Sequence, residues 1–186
     1  MGADDSANVK ALEAPALTPI SIPTRLAPAP SGPPKYSVMV QDRAGAEVAV
    51  ADPNATRAAV ALMNVHAVVG GAACHWGGPA AFAEIMAAAH ALMFAAKGRQ
   101  WHEAFHFVND AGHTENGVYA LRANYAFDGM SYETLRGFRG IESKLTGHGE
   151  SHINPEGILI SNGPLGSGLP PAQGLAIGHK QSLIHN

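Results

Sequence analysis

The stretch TGHGESHINPEGILISNGPLGSGLPPAQGLAIGHK, from Thr146 to Lys180, is the segment that decides how this chain folds. It contains a Gly-His pair, and fifteen residues past His148 it reaches a Gly-Pro-Leu-Gly-Ser-Gly loop. This loop, Gly163 to Gly168, runs directly into a predicted helix of small residues. Backbone N–H groups that are free at the start of a helix suit an anion or a polar heterocycle. The same residues also fit a plain tight turn between a strand and a helix.

The composition indicates one globular domain. The chain has 186 residues, enough for a sizeable core, and only 6% are aromatic, so small side chains must supply much of that core. A net charge of -3 without a basic run argues against nucleic acid as a partner. The lone cysteine, Cys74, allows no internal disulfide and is typical of a reducing compartment. We therefore expect a soluble, cytoplasmic protein without a signal peptide or a membrane span.

Proline and glycine divide the chain into predicted elements. Residues 1–34 carry seven of the thirteen prolines and predict an extended or disordered arm, which leaves residues 35–186 as the folded domain. A hairpin is predicted over residues 36–50, and FHFVND, residues 105–110, predicts a buried strand. Helices are predicted at 52–69, 79–97, 115–127 and 131–144, and from about Pro170 onward, with 157–162 extended. The second helix is apolar nearly all round, so we expect it to be buried.

The sequence HEAFH, residues 102–106, matches a zinc-protease pattern. That chemistry requires a helix, so that His102 and His106 share one face and Glu103 acts as general base. The residues that follow instead predict a strand, which would separate the two histidines by about 13 Å. We therefore interpret HEAFH as a chance match, and zinc hydrolysis as a disfavoured alternative.

Three histidines lie beside glycine in predicted loops. They are His75 in CHWGG, His113 in AGHTENG and His148 in TGHGES. A single loop histidine is most often a solvated surface group. Glycine removes side-chain bulk, however, so a ligand can approach the imidazole and the backbone together. Imidazole can hydrogen-bond a phosphate, a hydroxyl or a carbonyl and can move protons near neutral pH, so the three histidines form a candidate site. His90, by contrast, is expected in the core or an interface.

Taken in order, these motifs resemble the N-terminal part of the transketolase family of thiamine diphosphate enzymes. The resemblance covers about residues 55–180 and rests on AACHWGGPAAFAEIM, FVNDAGHTENGVYAL, SYETLRGFRGIESK leading to TGHGE, and SNGPLGSG followed by GLAIGHK. It implies an α/β fold, namely an incomplete N-terminal part of a thiamine-diphosphate-binding domain with a parallel sheet, predominantly helical in this chain. It also implies that no residue of this chain is a metal ligand.

The resemblance implies roles for individual residues. His75 and His148 match histidines that line the substrate channel and contact the donor sugar, which makes them the candidate catalytic residues. His113 matches the histidine that reaches the diphosphate of the cofactor. The aminopyrimidine ring is held in the family by a loop that corresponds here to Gly163, Pro164 and Leu165. In that family a two-carbon ketol unit moves from a ketose phosphate to an aldose, and the cofactor carries the carbanion.

Several features depart from the family pattern. Trp76 follows His75 where proline is usual, and Pro170-Pro171 follows the glycine loop. The Gly-Asp-Gly motif and the asparagine that hold Mg²⁺ and diphosphate are expected beyond Lys180. The glutamate that activates the aminopyrimidine is also absent from the sequence. We therefore expect the metal ligands to lie outside this chain.

Two hypotheses of different classes follow. In the first, the chain is the N-terminal segment of a transketolase-like transferase of carbohydrate metabolism, in the pentose phosphate reactions. It would act on sugar phosphates with thiamine diphosphate and Mg²⁺, and only when the rest of the enzyme is supplied, within a homodimer or by a complementary C-terminal chain. In the second, it is a non-catalytic module that keeps the scaffold for binding or assembly.

Overall fold

An antiparallel hairpin precedes the helices. In the computed structural model, which describes residues 24–96, 98 and 100–184, strand β1 (Ser37–Gln41) pairs with strand β2 (Glu47–Ala51). The turn between them is closed by Asp42, whose Oδ1 accepts hydrogen bonds from the backbone N–H groups of Ala44 and Ala46. The predicted hairpin is confirmed. It is the one sheet that the described residues form, so the parallel sheet implied by the resemblance is not seen among them.

Six α-helices follow the hairpin in the described part of the chain. They are α1 (Pro53–Val69), α2 (Gly77–Ala81), α3 (Ala83–Phe94), α4 (Trp101–Ala104), α5 (Glu115–Asn124) and α6 (Leu169–Ile184). Helix α1 begins where the sequence predicts, because the Asp52 side chain accepts from the Asn54 N–H and Pro53 occupies the first turn. The helices predicted from 52, from 115 and from about 170 are confirmed. None of the described helices combines the length and hydropathy that a membrane span requires.

Helix α5 is the centre of the packing. All ten of its residues are buried. Tyr119 joins Val60 and Met63 of α1 in one apolar cluster, and Leu121 joins Ala87 of α3 in another. The helix therefore packs against other parts of the chain on every side. Since the 3₁₀ turn Gly112–Thr114 leads directly into α5, the loop that carries His113 rests on the most buried element.

The second predicted helix is divided and only half buried. Helices α2 and α3 meet at Phe82, and α3 ends at Phe94 rather than near residue 97. The expectation that this helix is buried holds for one face only, since Ile85 is 66% and Leu92 69% exposed. One face of α3, which includes the fully buried His90, packs inward, and the opposite face has no neighbour among the described residues.

Three further predictions are wrong. Residues 105–110 form no strand, because no described segment makes the backbone hydrogen bonds of a ladder with them. Residues 131–144 form no α-helix. Only the 3₁₀ turn Thr134–Gly137 is regular there, and the chain leaves it through Arg139, whose φ of 62° is in the left-handed region. The segment predicted to be extended, residues 157–162, is instead irregular, with a turn ending at residue 157 and a bend at residues 159–160.

The proline-rich arm is described only from residue 24. Residues 1–23 lie outside the described residues, and residues 24–34 contain no helix or strand. The Ala27 N–H donates to the Glu156 carbonyl at 2.8 Å, and the Ala27 carbonyl accepts from Trp101 Nε1 at 2.8 Å. Leu26 and Ala27 are buried against Trp101 and Phe127. This part of the arm is therefore attached to the folded body.

Candidate functional site

The structure brings the three glycine-flanked histidines together from separate loops. His75 lies before α2, His113 lies in the 3₁₀ turn before α5, and His148 lies in the loop that precedes the glycine loop. The rings of His75 and His113 meet edge to face, with centroids 5.2 Å apart. His148 is close enough for its charge to act on His75. The three histidines therefore form one cluster, named here the histidine cluster.

Glycines permit this close approach. A Cβ at Gly112 would lie 2.5 Å from Oδ1 of Asn162 and 2.7 Å from the backbone nitrogen of Gly163. A Cβ at Gly78 would lie 2.7 Å from Cγ2 of Thr114 and 3.0 Å from Nε2 of His113. Only residues without a side chain fit at these two contacts, since real Cβ atoms do not come so close to their neighbours. The glycines thus set the spacing between the His113 loop, the start of α2 and the glycine loop.

The electrostatics of the histidine cluster favour a neutral imidazole at His75. Partial burial of the ring lowers the pKa of His75, and the charges of His113, Arg139 and His148 lower it further. An imidazole that remains neutral near pH 7 can accept a proton or a hydrogen bond from a ligand hydroxyl. The cluster can therefore combine hydrogen-bond donation with proton transfer.

A buried polar network lies beneath the histidine cluster. The Asn162 amide donates from Nδ2 to the Asn109 carbonyl at 2.9 Å and to Glu115 Oε2 at 3.1 Å, and its Oδ1 accepts from the Gly149 N–H at 2.7 Å. Asn109 Nδ2 donates to the same Glu115 oxygen at 2.7 Å. Asn109, Glu115 and Asn162 are each less than 10% exposed. Because the network connects residues next to His113, His148 and Gly163, it fixes the relative positions of their loops.

The glycine loop adopts backbone conformations that favour glycine. Gly163 has φ of 143° and Gly166 has φ of 77°. Asp110 Oδ1 accepts from the N–H groups of Gly168 at 2.5 Å and Leu169 at 3.1 Å, at the start of α6. These two donors, which the sequence suggests could meet an anion, are thus already hydrogen-bonded. Pro164 and Leu165 are exposed, and Gly163 lies beside His148, where its missing Cβ would be 3.7 Å from the ring.

HEAFH does not form the zinc-protease arrangement. Helix α4 ends at Ala104, Phe105 is extended, and Glu103 accepts a hydrogen bond from the Gln100 N–H in a capping box. His106 instead meets His179 of α6, with ring centroids 5.6 Å apart, where both line a cavity of about 280 Å³. Burial and the charge of His179 lower the pKa of His106. Among the described residues, no group of three or more His, Cys, Asp or Glu side chains has the geometry of a metal site.

Sequence reasoning missed the residues that connect the loops. Asn162 contacts Asn109 and Glu115 from a segment that is distant in the sequence, so no local pattern marks these contacts. Arg139 was also missed, because the sequence predicts a continuous helix over 131–144, whereas the regular turn observed there ends at Gly137. The one local signal is that Asn162 directly precedes the glycine loop.

Comparison with known proteins identifies the family. Residues 53–185, more than half of the chain, match the family model described as "Transketolase, thiamine diphosphate binding domain". Transketolase of Dictyostelium discoideum is 34% identical over 116 residues, which are 61% of this chain and 17% of that protein. Transketolase of Rhodobacter capsulatus is 30% identical over 125 residues, 66% of this chain and 18% of that protein. No solved structure matches the chain.

A third relative, "Transketolase-1, chloroplastic" of Arabidopsis thaliana, is 39% identical over 84 residues, 45% of this chain and 11% of that protein. The chain thus spans less than a fifth of the length of these curated relatives. The histidine cluster and the glycine loop both fall within the matched range of residues 53–185. The chain therefore belongs to the transketolase family and corresponds to its N-terminal, thiamine-diphosphate-binding segment.

Proposed function

We propose that this chain supplies the substrate-channel histidines and the pyrimidine loop of a transketolase-like transferase. The proposal rests on one observation. His75, His113 and His148 come from loops that are far apart in the sequence, and they lie close together beside Gly163. The reaction proposed is transfer of a two-carbon ketol unit between sugar phosphates. Its cofactor would be thiamine diphosphate with Mg²⁺.

The residues present fit part of the cofactor. Pro164 and Leu165 of the glycine loop are exposed, so a flat heterocycle could lie against this loop. When bound, thiamine diphosphate supplies the carbanion chemistry that makes and breaks carbon–carbon bonds. The Mg²⁺ ligands would come from the rest of the enzyme.

Each histidine has a separate role in this proposal. His113 donates a hydrogen bond to the diphosphate end of the cofactor. His75 and His148 hydrogen-bond the sugar oxygens next to the reacting carbon. The lowered pKa of His75 leaves its imidazole neutral at physiological pH, so it can accept a hydroxyl proton and return it later. The network of Asn162 and Glu115 holds these rings at fixed positions, as efficient proton transfer requires.

Substitution of single histidines tests these roles. The full chain would be combined with a chain that supplies the remainder of a transketolase, and ketol transfer would be measured. We expect His75→Asn to lower kcat by about 10²-fold or more, as is usual for loss of a positioned acid–base group. His66→Asn is the matched control, because His66 is exposed on α1. Equal activity of the His75 and His66 variants would overturn the assignment of His75.

A second candidate, a non-catalytic assembly module, is favoured by the exposed apolar side chains of α1 and α3. Leu62, Val65 and Leu92 are each at least 60% exposed. A module of this kind would bind its partner chain without thiamine diphosphate and would show no ketol transfer in the complex. Cofactor binding by the complex would exclude it as the sole function.

A further inference from the structure

Two histidines outside the histidine cluster meet between distant parts of the chain. His106 lies just after α4 and His179 lies in α6, and their ring centroids are 5.6 Å apart, with an angle of 80° between the ring planes. Both side chains are exposed, so an ion can reach them from solvent. Neither ring makes a hydrogen bond within the described part of the chain, which leaves the ring nitrogens available to a ligand.

The separation of the two rings matches that of imidazoles bound to one metal ion. A zinc–nitrogen bond of about 2.0–2.1 Å places the centroid of each ring about 3.2 Å from the ion. Two rings that meet the ion at about 110–120° then have centroids about 5.2–5.6 Å apart. The observed 5.6 Å falls within this range. The segment after α4 and helix α6 therefore hold the imidazoles at the spacing that a shared ion requires.

A cavity of about 280 Å³ beside the pair leaves room for further ligands of the ion. Most of its other lining residues are apolar, among them Phe105, Val108 and Leu175. Glu103 also lines it, but its Oε2 accepts from the Gln100 N–H at 3.1 Å. Since the described residues contain no group of three or more metal-ligating side chains, water or a small anion would complete the four ligands that Zn²⁺ prefers. We therefore expect binding that is weaker than in a structural zinc centre, and reversible.

The protonation state of the pair also suits a metal ion. Imidazole binds a metal only in its neutral form. Burial, followed by the charge of His179, lowers the pKa of His106, so this ring is neutral near pH 7. Binding should therefore weaken as the pH falls and the rings take up protons.

We propose that His106 and His179 form a binding site for a transition-metal ion that prefers imidazole, with Zn²⁺ as its representative. Imidazole suits Zn²⁺ and Cu²⁺, whereas Mg²⁺ takes oxygen ligands. The bound ion would join α6 to the segment that follows α4. Asp110 already holds the N–H of Leu169 at the start of α6, and His179 lies about 15 Å further along this helix, so the ion would add a second attachment.

The test uses the full chain at neutral pH, with Zn²⁺ alone as the probe and Mg²⁺ as a comparison. Histidine ring signals are followed by NMR during the titration. We expect Zn²⁺, and not Mg²⁺, to shift the signals of His106 and His179 together, and the affinity for Zn²⁺ to fall about tenfold or more in His179→Gln. His102→Gln is the matched control, because His102 lies in the same segment but its ring packs against Trp101, and it should leave the affinity unchanged.

Hydrogen exchange gives a second readout. Zn²⁺ should slow exchange in α6 of the native chain and not in His179→Gln. His106→Gln should lose as much affinity as His179→Gln, which covers the case in which one of the two variants does not fold. Equal affinity of the native chain and both variants, or Zn²⁺ that shifts only the signals of His75, His113 and His148, would overturn the site. Neither readout involves thiamine diphosphate or ketol transfer, so the result is independent of the proposed function.

Discussion

At the scale of single residues, Asn162 joins three parts of the candidate site. Its amide contacts the Asn109 carbonyl, the Glu115 carboxylate and the Gly149 N–H, and its own N–H donates to the Gly149 carbonyl at 2.9 Å. Nearly all of its hydrogen-bonding capacity is thus used between distant segments. The positions of His148 and Gly163, which flank these contacts, depend on this one side chain.

Replacement of Asn162 by alanine should disturb the site and the stability together. The Gly149 N–H and one Glu115 oxygen would lose a partner in a buried region, so we expect the free energy of unfolding to fall by about 1–3 kcal/mol. Asn154→Ala is a matched control, because Asn154 is similarly buried and its Oδ1 accepts from the Gly157 N–H. Both variants should lose stability in denaturant titrations, but only Asn162→Ala should shift the NMR signals of His148 and Gly163. Unchanged His148 signals in Asn162→Ala would contradict the proposed positioning.

Because His90 is buried, the stability of the folded chain should decrease in acid. Burial, followed by the charge of Arg122, lowers the pKa of His90 to about 3, although the Met86 carbonyl at 3.0 Å acts in the opposite direction. The unfolded chain binds a proton here near pH 6.5 while the folded chain does not. Stability is therefore full above pH 6.5 and falls as the pH decreases toward 3. Thermal unfolding followed from pH 7 to pH 4 should show a smaller loss in His90→Gln, whereas the exposed control His66→Gln should retain the native slope.

The residues of the site were predictable from sequence only where a local signal exists. His75, His113 and His148 could be selected because glycine lies beside each of them in a loop. Glu115 could not, because its contact with Asn162 joins segments far apart in the chain. The role of such residues in the site can be recognised only from the folded structure.

At the scale of elements, capping residues and glycine stops predicted the ends of helices well. Runs of apolar residues predicted secondary structure poorly. Helix α1 has a capping aspartate, a proline in its first turn and a Gly-Gly stop, all local to the helix. Residues 105–110 have the pattern of a buried strand, but a strand needs a neighbour, and none is formed by the described residues. Residues 131–144 contain Gly137 and Gly140, where the chain turns instead of continuing a helix.

Asp110 should control the attachment of α6. Its carboxylate accepts from the first two N–H groups at the start of this helix, so Asp110→Ala should cost about 1 kcal/mol. Most of α6 is exposed, so the cost should appear as local opening. Hydrogen exchange should accelerate in α6 and stay unchanged in α5. In the control Asp52→Ala, which removes the cap of α1, the acceleration should occur at the start of α1; an identical pattern in the two variants would contradict this role.

At the scale of the whole molecule, helices α1 and α3 both expose large apolar side chains. Those on α1 and α3 that are at least 59% exposed are Leu62, Val65, Val68, Val69, Ile85 and Leu92. Exposed apolar patches on a protein generally mark a protein–protein contact. This exposure supports the proposal that the chain acts in an assembly, either with a second copy or with a complementary chain.

Self-association of the isolated chain is therefore expected. Sedimentation should show oligomers or aggregates, and the double variant Leu62→Glu, Leu92→Glu should reduce them. Gln173→Glu, an exposed change on α6, should leave association unaltered. A monomer with a sharp, cooperative melt at all concentrations would contradict the expectation.

The central claim, that this chain forms part of a thiamine diphosphate site, is tested most directly by cofactor binding. Calorimetric titration with thiamine diphosphate and Mg²⁺ would be carried out on the chain alone, on a chain that supplies the remainder of a transketolase, and on the two combined. We predict saturable binding by the combination, at least tenfold tighter than by either chain, and weakened about tenfold by His113→Asn. No binding by the combination, or binding that the second chain alone accounts for, would contradict the claim.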